Sequence, residues 1–229
     1  MDTQIVQPKK EFAWSYSRLK GHADCPRRYY ETQIAKNWPD TTSDQEWGNA
    51  VHAALAQALR DGTDLSSKFA PTCQKWLDEV RRVEGEMLIE DDCQWACTRD
   101  FKPTPWFAKD VWLRCIADVA ILNPPGAMVV DWKAGKSSNV DPIQLLLTSL
   151  MILIQFPKID RVLSAFIWLK EGHKTVQTLY REDAPDQWAE ILPRVQRFED
   201  AVTREHFPPQ PGRLCRNWCP VKSCEYNGK

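Results

Sequence analysis

A chain of 229 residues, 43% hydrophobic and 27% charged, is long enough to bury roughly 70–75% of its unfolded surface, which excludes disordered and collagen-like chains. Thirty basic residues against 31 acidic ones leave a formal charge of −1, which argues against coating nucleic acid or anionic membrane by bulk charge and leaves room only for a local basic groove. The unusual count is the eight cysteines.

No repeat or low-complexity segment interrupts the chain, so one domain is expected over residues 1–229. It divides into a helical part over 12–100, a central sheet over 106–182, and a helix with a cysteine-rich tail over 183–229. Residues 1–12 contain Lys9, Lys10 and Glu11, which break any apolar run of a signal peptide. The first helix is predicted at 17–35, opened by Ser15 or Ser17, with Pro26 kinking or dividing it. A second covers 45–60, with Trp47, Val51, Ala54, Leu55, Ala58 and Leu59 at helical spacing and Gly62 as its stop. A third covers 66–83.

The period then changes. Residues 109–122 and 127–133 read as two strands around Asn123-Pro124-Pro125-Gly126, a turn that continues neither helix nor central strand. A helix over 141–155, strands over 161–169 and 175–180 around Glu171-Gly172, and a long helix over 185–206 complete a mixed sheet flanked by helices. The apolar stretch 143–156 is interrupted by Gln144, Thr148, Ser149 and Gln155 and falls short of the ~20 residues of a membrane span. The expectation is a soluble cytoplasmic protein without membrane contact.

If the hairpin turn is centred between Pro124 and Pro125, Asp118 faces Asp131 across the two strands. Two carboxylates on one face, among apolar neighbours, repel each other and need a cation between them. Lys133 projects from the same face as Asp131 by the two-residue period but can neutralise only one of them. A divalent ion fits better, since Mg²⁺ accepts one or two carboxylates plus water and phosphate oxygens. The alternative is an ordinary surface hairpin whose register, shifted by one, puts the two Asp on opposite faces.

Asp118, then Asp131-Trp132-Lys133-Ala134-Gly135, resembles the motif of the PD-(D/E)xK nuclease superfamily in the form of its RecB-like exonuclease branch. Three further segments match in the branch's order: Ser15 to Leu19 followed by Cys25-Pro26-Arg27-Arg28-Tyr29-Tyr30; Gly48 to Leu55 around His52; and Gln144 to Leu147. The resemblance implies an α/β, restriction-endonuclease-like sheet and a Mg²⁺- or Mn²⁺-dependent deoxyribonuclease, most simply an exonuclease of recombination, repair or phage DNA processing. His52, Asp118, Asp131 and the Trp132 carbonyl would hold the metal, with Glu86 as the upstream acid for which Glu84 and Glu90 compete. Lys133 would be the catalytic lysine and Gln144 the glutamine that orients the site. Relatives often carry a tyrosine four residues after that glutamine; here it is Thr148.

Arg18, Lys20, Arg27, Arg28, Tyr29 and Tyr30 are the expected DNA contacts, suited to a single-stranded end. A recombination or single-strand-annealing protein is the partner this implies; the oligomeric state stays open. Several such nucleases, including helicase-nuclease subunits of the AddB type and CRISPR-adaptation exonucleases, bind a [4Fe-4S] cluster through a cysteine near the first helix and a carboxy-terminal trio. Cys25 with Cys215, Cys219 and Cys224 fits that pattern and would join the chain ends. Zn²⁺ or no metal are the alternatives, because the C-x3-C-x4-C spacing departs from the commoner C-x2-C. Cys73, Cys93, Cys97 and Cys115 read as buried thiols, with Cys93 and Cys97 as a pair if they share a helix. The rival function is an inactive nuclease-fold adaptor that binds DNA.

Overall fold

In the computed structural model, which describes residues 13–37, 43–139 and 141–229, proline and glycine mark helix boundaries where backbone chemistry demands it. The reading of residues 1–12 lies outside the described residues. Helix α1 (Tyr16–Asp24) ends at the extended Cys25, and Pro26 opens α2 (Pro26–Tyr29) at the one helical position where its missing N–H costs nothing. The chain continues as a π-helical turn, Tyr30–Ile34. Helix α3 (Ser43–Asp61) stops at Gly62, whose φ of +69° an L side chain resists. Helix α4 (Ala70–Arg81) follows.

A five-stranded mixed sheet has the order β1 (Glu86–Ile89), β5 (Val119–Asn123), β6 (Gly126–Lys133), β7 (Arg161–Trp168), β8 (His173–Tyr180). Only β6 and β7 run parallel, and α5 (Ile143–Gln155) makes the crossover that a parallel pair requires. A small antiparallel sheet orders β3 (Pro103–Thr104), β2 (Gln94–Cys97) and β4 (Leu113–Ile116). Helices α6 (Ala184–Thr203) and α7 (Arg213–Asn217) close the chain.

Two expectations are corrected. The strand predicted over 109–122 is two strands in different sheets, β4 and β5, parted at Ala117-Asp118; an apolar run carries no mark of where a chain leaves one ladder for another. The part expected to be helical also supplies β1 and β2, so Cys97 lies on a strand while Cys93 ends the short 3-10 helix Glu90–Cys93, and the two do not share a helix. The acidic residues around Met87-Leu88-Ile89 hid a sheet edge, where charge is a normal guard against further pairing.

Alternation along the strands divides the core. Val119, Ile121, Val130 and Trp132 pack with Val51, Leu55, Trp76 and Leu77 of α3 and α4. Ala120, Leu122, Ala127 and Val129 pack on the other face with Leu146, Leu150 and Met151 of α5, and with Ile191, Val195 and Phe198 of α6. Helix α5 is buried from Leu145 to Leu153, which explains its high apolar content without a membrane. Truncating Leu55 or Leu77, both at 0% exposure, costs about 2–5 kcal/mol. Among the described residues, no helix is long and apolar enough to cross a membrane.

Candidate active site

The β5–β6 ladder pairs Asn123 with Gly126 and ends at Val119 with Val130, the register expected of the hairpin. One step further, Asp118 and Asp131 stand where the two strands part, so Asp118 is free of the ladder and reaches past the sheet end toward α3. Its Oδ1 lies 3.1 Å from His52 Nδ1, and its Oδ2 accepts the Trp132 N–H at 2.6 Å. Asp131 Oδ2 lies 2.8 Å from Lys133 Nζ and accepts from Gln144 Nε2 at 2.7 Å. Lys133 in turn donates to Gln144 Oε1 at 2.9 Å, closing a triangle, and its ammonium lies 4.7 Å from the centre of the Phe166 ring. Strand β6 therefore presents Asp131 and Lys133 to α5, and α3 brings His52 from the opposite side.

The electrostatics show a concentration of negative charge. Burial, then the Asp118 charge, push Asp131 well above the carboxylate range despite Lys133 beside it. Burial and Asp118 likewise raise Glu90. Burial pulls His52 down, but its hydrogen bond to Asp118 and the charges of Asp118, Asp131 and Glu90 outweigh that and leave the imidazole above its ordinary value. Each of these shifts relaxes if a cation enters. Among the described residues, His52, Glu90 and Asp118 are the group that brings three such ligand atoms within 4.8 Å of one another. The hard N and O donors suit Mg²⁺ or Mn²⁺, and the 3.1 Å between His52 and Asp118 atoms is close to the ~3.0 Å between adjacent ligands at ~2.1 Å from one octahedral ion.

A family model described as the PD-(D/E)XK nuclease superfamily matches residues 13–224. The chain belongs to that superfamily. Among solved structures, a candidate exonuclease from Eubacterium rectale aligns at a TM-score of 0.51 and 15% identity over 91% of this chain and 87% of that one, which supports the fold. The protein SSO0001 aligns more weakly, with a TM-score of 0.44 and 12% identity over 97% of this chain and 91% of that one. No curated protein matches.

Within this superfamily member, Glu86 is corrected as a metal ligand. It pairs with Leu122 at the far end of β1 and is exposed, while Glu90, one residue beyond the last β1–β5 pair, donates its N–H to the Asp118 carbonyl at 2.9 Å. The antiparallel direction of β1 decides this, and it could not be known before β1 itself was recognised. The sequence also leaves Tyr16 unassigned: burial, then the nearby carboxylates of Asp141, Asp24 and Asp131, raise its phenol, and Asp141 takes its hydrogen bond. Thr148 turns inward and donates to the Gln144 carbonyl at 2.9 Å.

The expected DNA-contact face is altered as well. Tyr29 is 1% exposed and packs edge-on against Phe198, so it cannot stack on a base. Tyr30 lies against Phe207. Lys20 and Arg28 both pair with Asp24, and Arg27 pairs with Glu31, while Arg18 donates to the Ala13 carbonyl at 2.7 Å. The cysteines behave differently. Cys25, Cys215, Cys219 and Cys224 line one small cavity together with Arg27 and Arg28. The N–H groups of Gln210 and Gly212 each donate to a sulfur at 3.4 Å, that of Cys25 and that of Cys215. Cys73, Cys93 and Cys97 are buried free thiols, pushed by burial to about 11, 12 and 12.

Proposed function

We propose that the protein is a metal-dependent deoxyribonuclease that hydrolyses DNA from an end, in recombination, repair or phage DNA processing. The observation that carries this reading is the array of His52, Glu90 and Asp118 beside the Asp131–Lys133–Gln144 triangle. His52, Asp118, Asp131 and Glu90 would hold the ion, with the Trp132 carbonyl as a further candidate. Bound there, Mg²⁺ or Mn²⁺ supplies positive charge against the phosphodiester and lowers the pKa of a water. The Trp132 N–H fixes the Asp118 carboxylate, and Gln144 fixes both Asp131 and Lys133. The Lys133 ammonium is placed to hold the attacking water or to stabilise charge gathering on the phosphoryl oxygens. The water oxygen gives up a proton to solvent as it bonds to phosphorus, the bridging P–O bond breaks, and the leaving oxygen takes up a proton from solvent. The name of the E. rectale neighbour agrees with exonuclease action.

A [4Fe-4S] cluster is the occupant we propose for the cysteine cavity. Four cysteines line one small space, and N–H donors to the sulfurs of two of them suit thiolates that share their charge with a cluster. Its contribution would be structural, tying the start of α2 to the carboxy-terminal tail.

The test is degradation of end-labelled linear DNA and of a closed circle with Mg²⁺ or Mn²⁺. Cleavage of linear DNA alone, lost in Asp131→Ala, is expected. A folded protein that binds Mn²⁺ yet cleaves neither substrate would leave the adaptor reading instead.

A further inference from the structure

An open groove of about 1110 Å³ runs along α3 past His52. Gln45, Asn49, His52, Ala56 and Arg60 succeed one another at three- and four-residue steps, so a single face of α3 forms one wall. The facing wall comes from the loop after β6, which ends in Lys136, and from Lys170 and Glu171 in the β7–β8 turn.

The charge along this groove is graded. Glu90 and Asp91 line it together with Arg60, whose guanidinium donates to the Ile89 carbonyl at 3.1 Å. The other end carries two cations, Lys136 and Lys170, beside the single carboxylate of Glu171. Lys170 lies 4.5 Å from the centre of the Trp47 ring, and a Cβ on Gly48 would meet that of Ala134 at 3.4 Å, so the Lys136 loop and the β7–β8 turn both meet the first turns of α3. Gly48 and His52 are four residues apart, ~6 Å along the helix axis. A strand whose scissile phosphate sits at His52 and Asp118 therefore has its neighbouring phosphate beside the two lysines.

The lining also says what is read. Among the described residues it holds no Phe, Tyr or Trp side chain; between the polar groups stand Gly48, Ala53, Ala56, Ala134 and Gly135. No large aromatic ring there offers a stacking platform, and small residues let a sugar-phosphate chain approach closely. Lys20, Arg27 and Arg28 of α1 and α2, by contrast, lie in ion pairs with Asp24 and Glu31.

We propose that this groove is a sequence-independent track for the phosphodiester backbone of one DNA strand, with Lys136 and Lys170 holding the phosphate next to the one being cleaved. The proposal rests on the nuclease reading and adds the binding side chains to it. Both lysines are exposed, so their removal leaves the core intact.

The test measures binding of a fluorescein-labelled single-stranded deoxyoligonucleotide by anisotropy, with Mg²⁺, in a Lys133→Ala background that stops cleavage. Adding Lys136→Ala and Lys170→Ala should weaken binding at least tenfold at moderate salt and flatten the plot of log K against log salt by about 0.7 for each phosphate no longer neutralised. Lys20→Ala should change neither, and an oligothymidine should bind within about threefold of a mixed sequence. With Lys133 intact, the double variant should raise KM while kcat stays within about threefold. Unchanged affinity and salt slope in the double variant, or a weakening confined to Lys20→Ala, would overturn the track while leaving the nuclease intact. A folded wild type that cleaves no DNA with either metal would instead overturn the nuclease reading beneath it.

Discussion

The Glu90 N–H donates to the Asp118 carbonyl at 2.9 Å, continuing the β1–β5 pairing one step beyond Ile89 and Val119. That bond places the Glu90 carboxylate within reach of Asp118 and His52 and leaves Glu86 at the opposite end of the strand. Glu90→Gln should therefore weaken Mn²⁺ binding, read by calorimetry, and cleavage by roughly 10–100-fold. Glu86→Gln should stay within twofold of wild type in both. The reverse order would mean that β1 is shifted along β5.

Gln144 touches both Asp131 and Lys133, so it acts through them. Lys133→Ala should lower kcat by about 10²–10⁴. Gln144→Ala should lower it less, and Gln144→Glu should behave differently from either, because a carboxylate can accept from Lys133 but repels Asp131. Single-turnover rates across pH separate these roles: a positioning residue moves the profile along the pH axis, whereas removal of the Lys133 ammonium lowers it throughout.

Much of this site was legible because it is local. Asp131, Lys133 and Gln144 lie within fourteen residues, and the Pro124-Pro125 turn fixes the hairpin register. His52 was legible through its helical neighbours. Glu90 was not, since its place depends on pairing between β1 and β5, about thirty residues apart, and a four-residue edge strand amid acids carries almost no periodic signal. Tyr29 misled for a related reason: an aromatic beside arginines looks like a nucleic-acid contact until α6 is known to cover it. The groove cations sit in separate connections, Lys136 in the crossover after β6 and Lys170 in the β7–β8 hairpin turn, and only the folded sheet brings them to α3.

The partly buried Asp131 gives a pH prediction for the metal-free protein. Its native pKa is raised from 3.8 to about 7 by burial and by Asp118, so between these values the native state holds a proton that the unfolded chain has released. Its contribution is therefore fully present below about pH 4 and is lost as pH rises through about 7. In EDTA, the wild type should lose on the order of 5 °C in Tm between pH 5 and pH 8 relative to Asp131→Asn. Adding Mn²⁺ at pH 8 should raise the wild-type Tm and leave the variant nearly unmoved. A wild type and variant with parallel pH profiles in EDTA would show that Asp131 is ionised throughout.

The cysteine cavity joins segments almost at opposite ends of the chain, Cys25 before α2 and Cys215, Cys219 and Cys224 after α6. Little else holds the tail: Arg27 N–H donates to the Pro208 carbonyl at 3.2 Å, and Phe207 packs on Tyr29 and Tyr30. Closing so long a loop restricts the unfolded chain by about 4 kcal/mol or more in the chain-entropy account. Anaerobically purified protein should carry about four irons and a broad absorption near 400 nm. Cys219→Ser should bleach it, lower Tm by roughly 10 °C, and open the segment after α6 to limited proteolysis while the His52–Asp118 site still binds Mn²⁺. Cys73→Ser, buried in the α3–α4 core, should keep the full iron content. A colourless wild type with the same Tm as Cys219→Ser would remove the clasp.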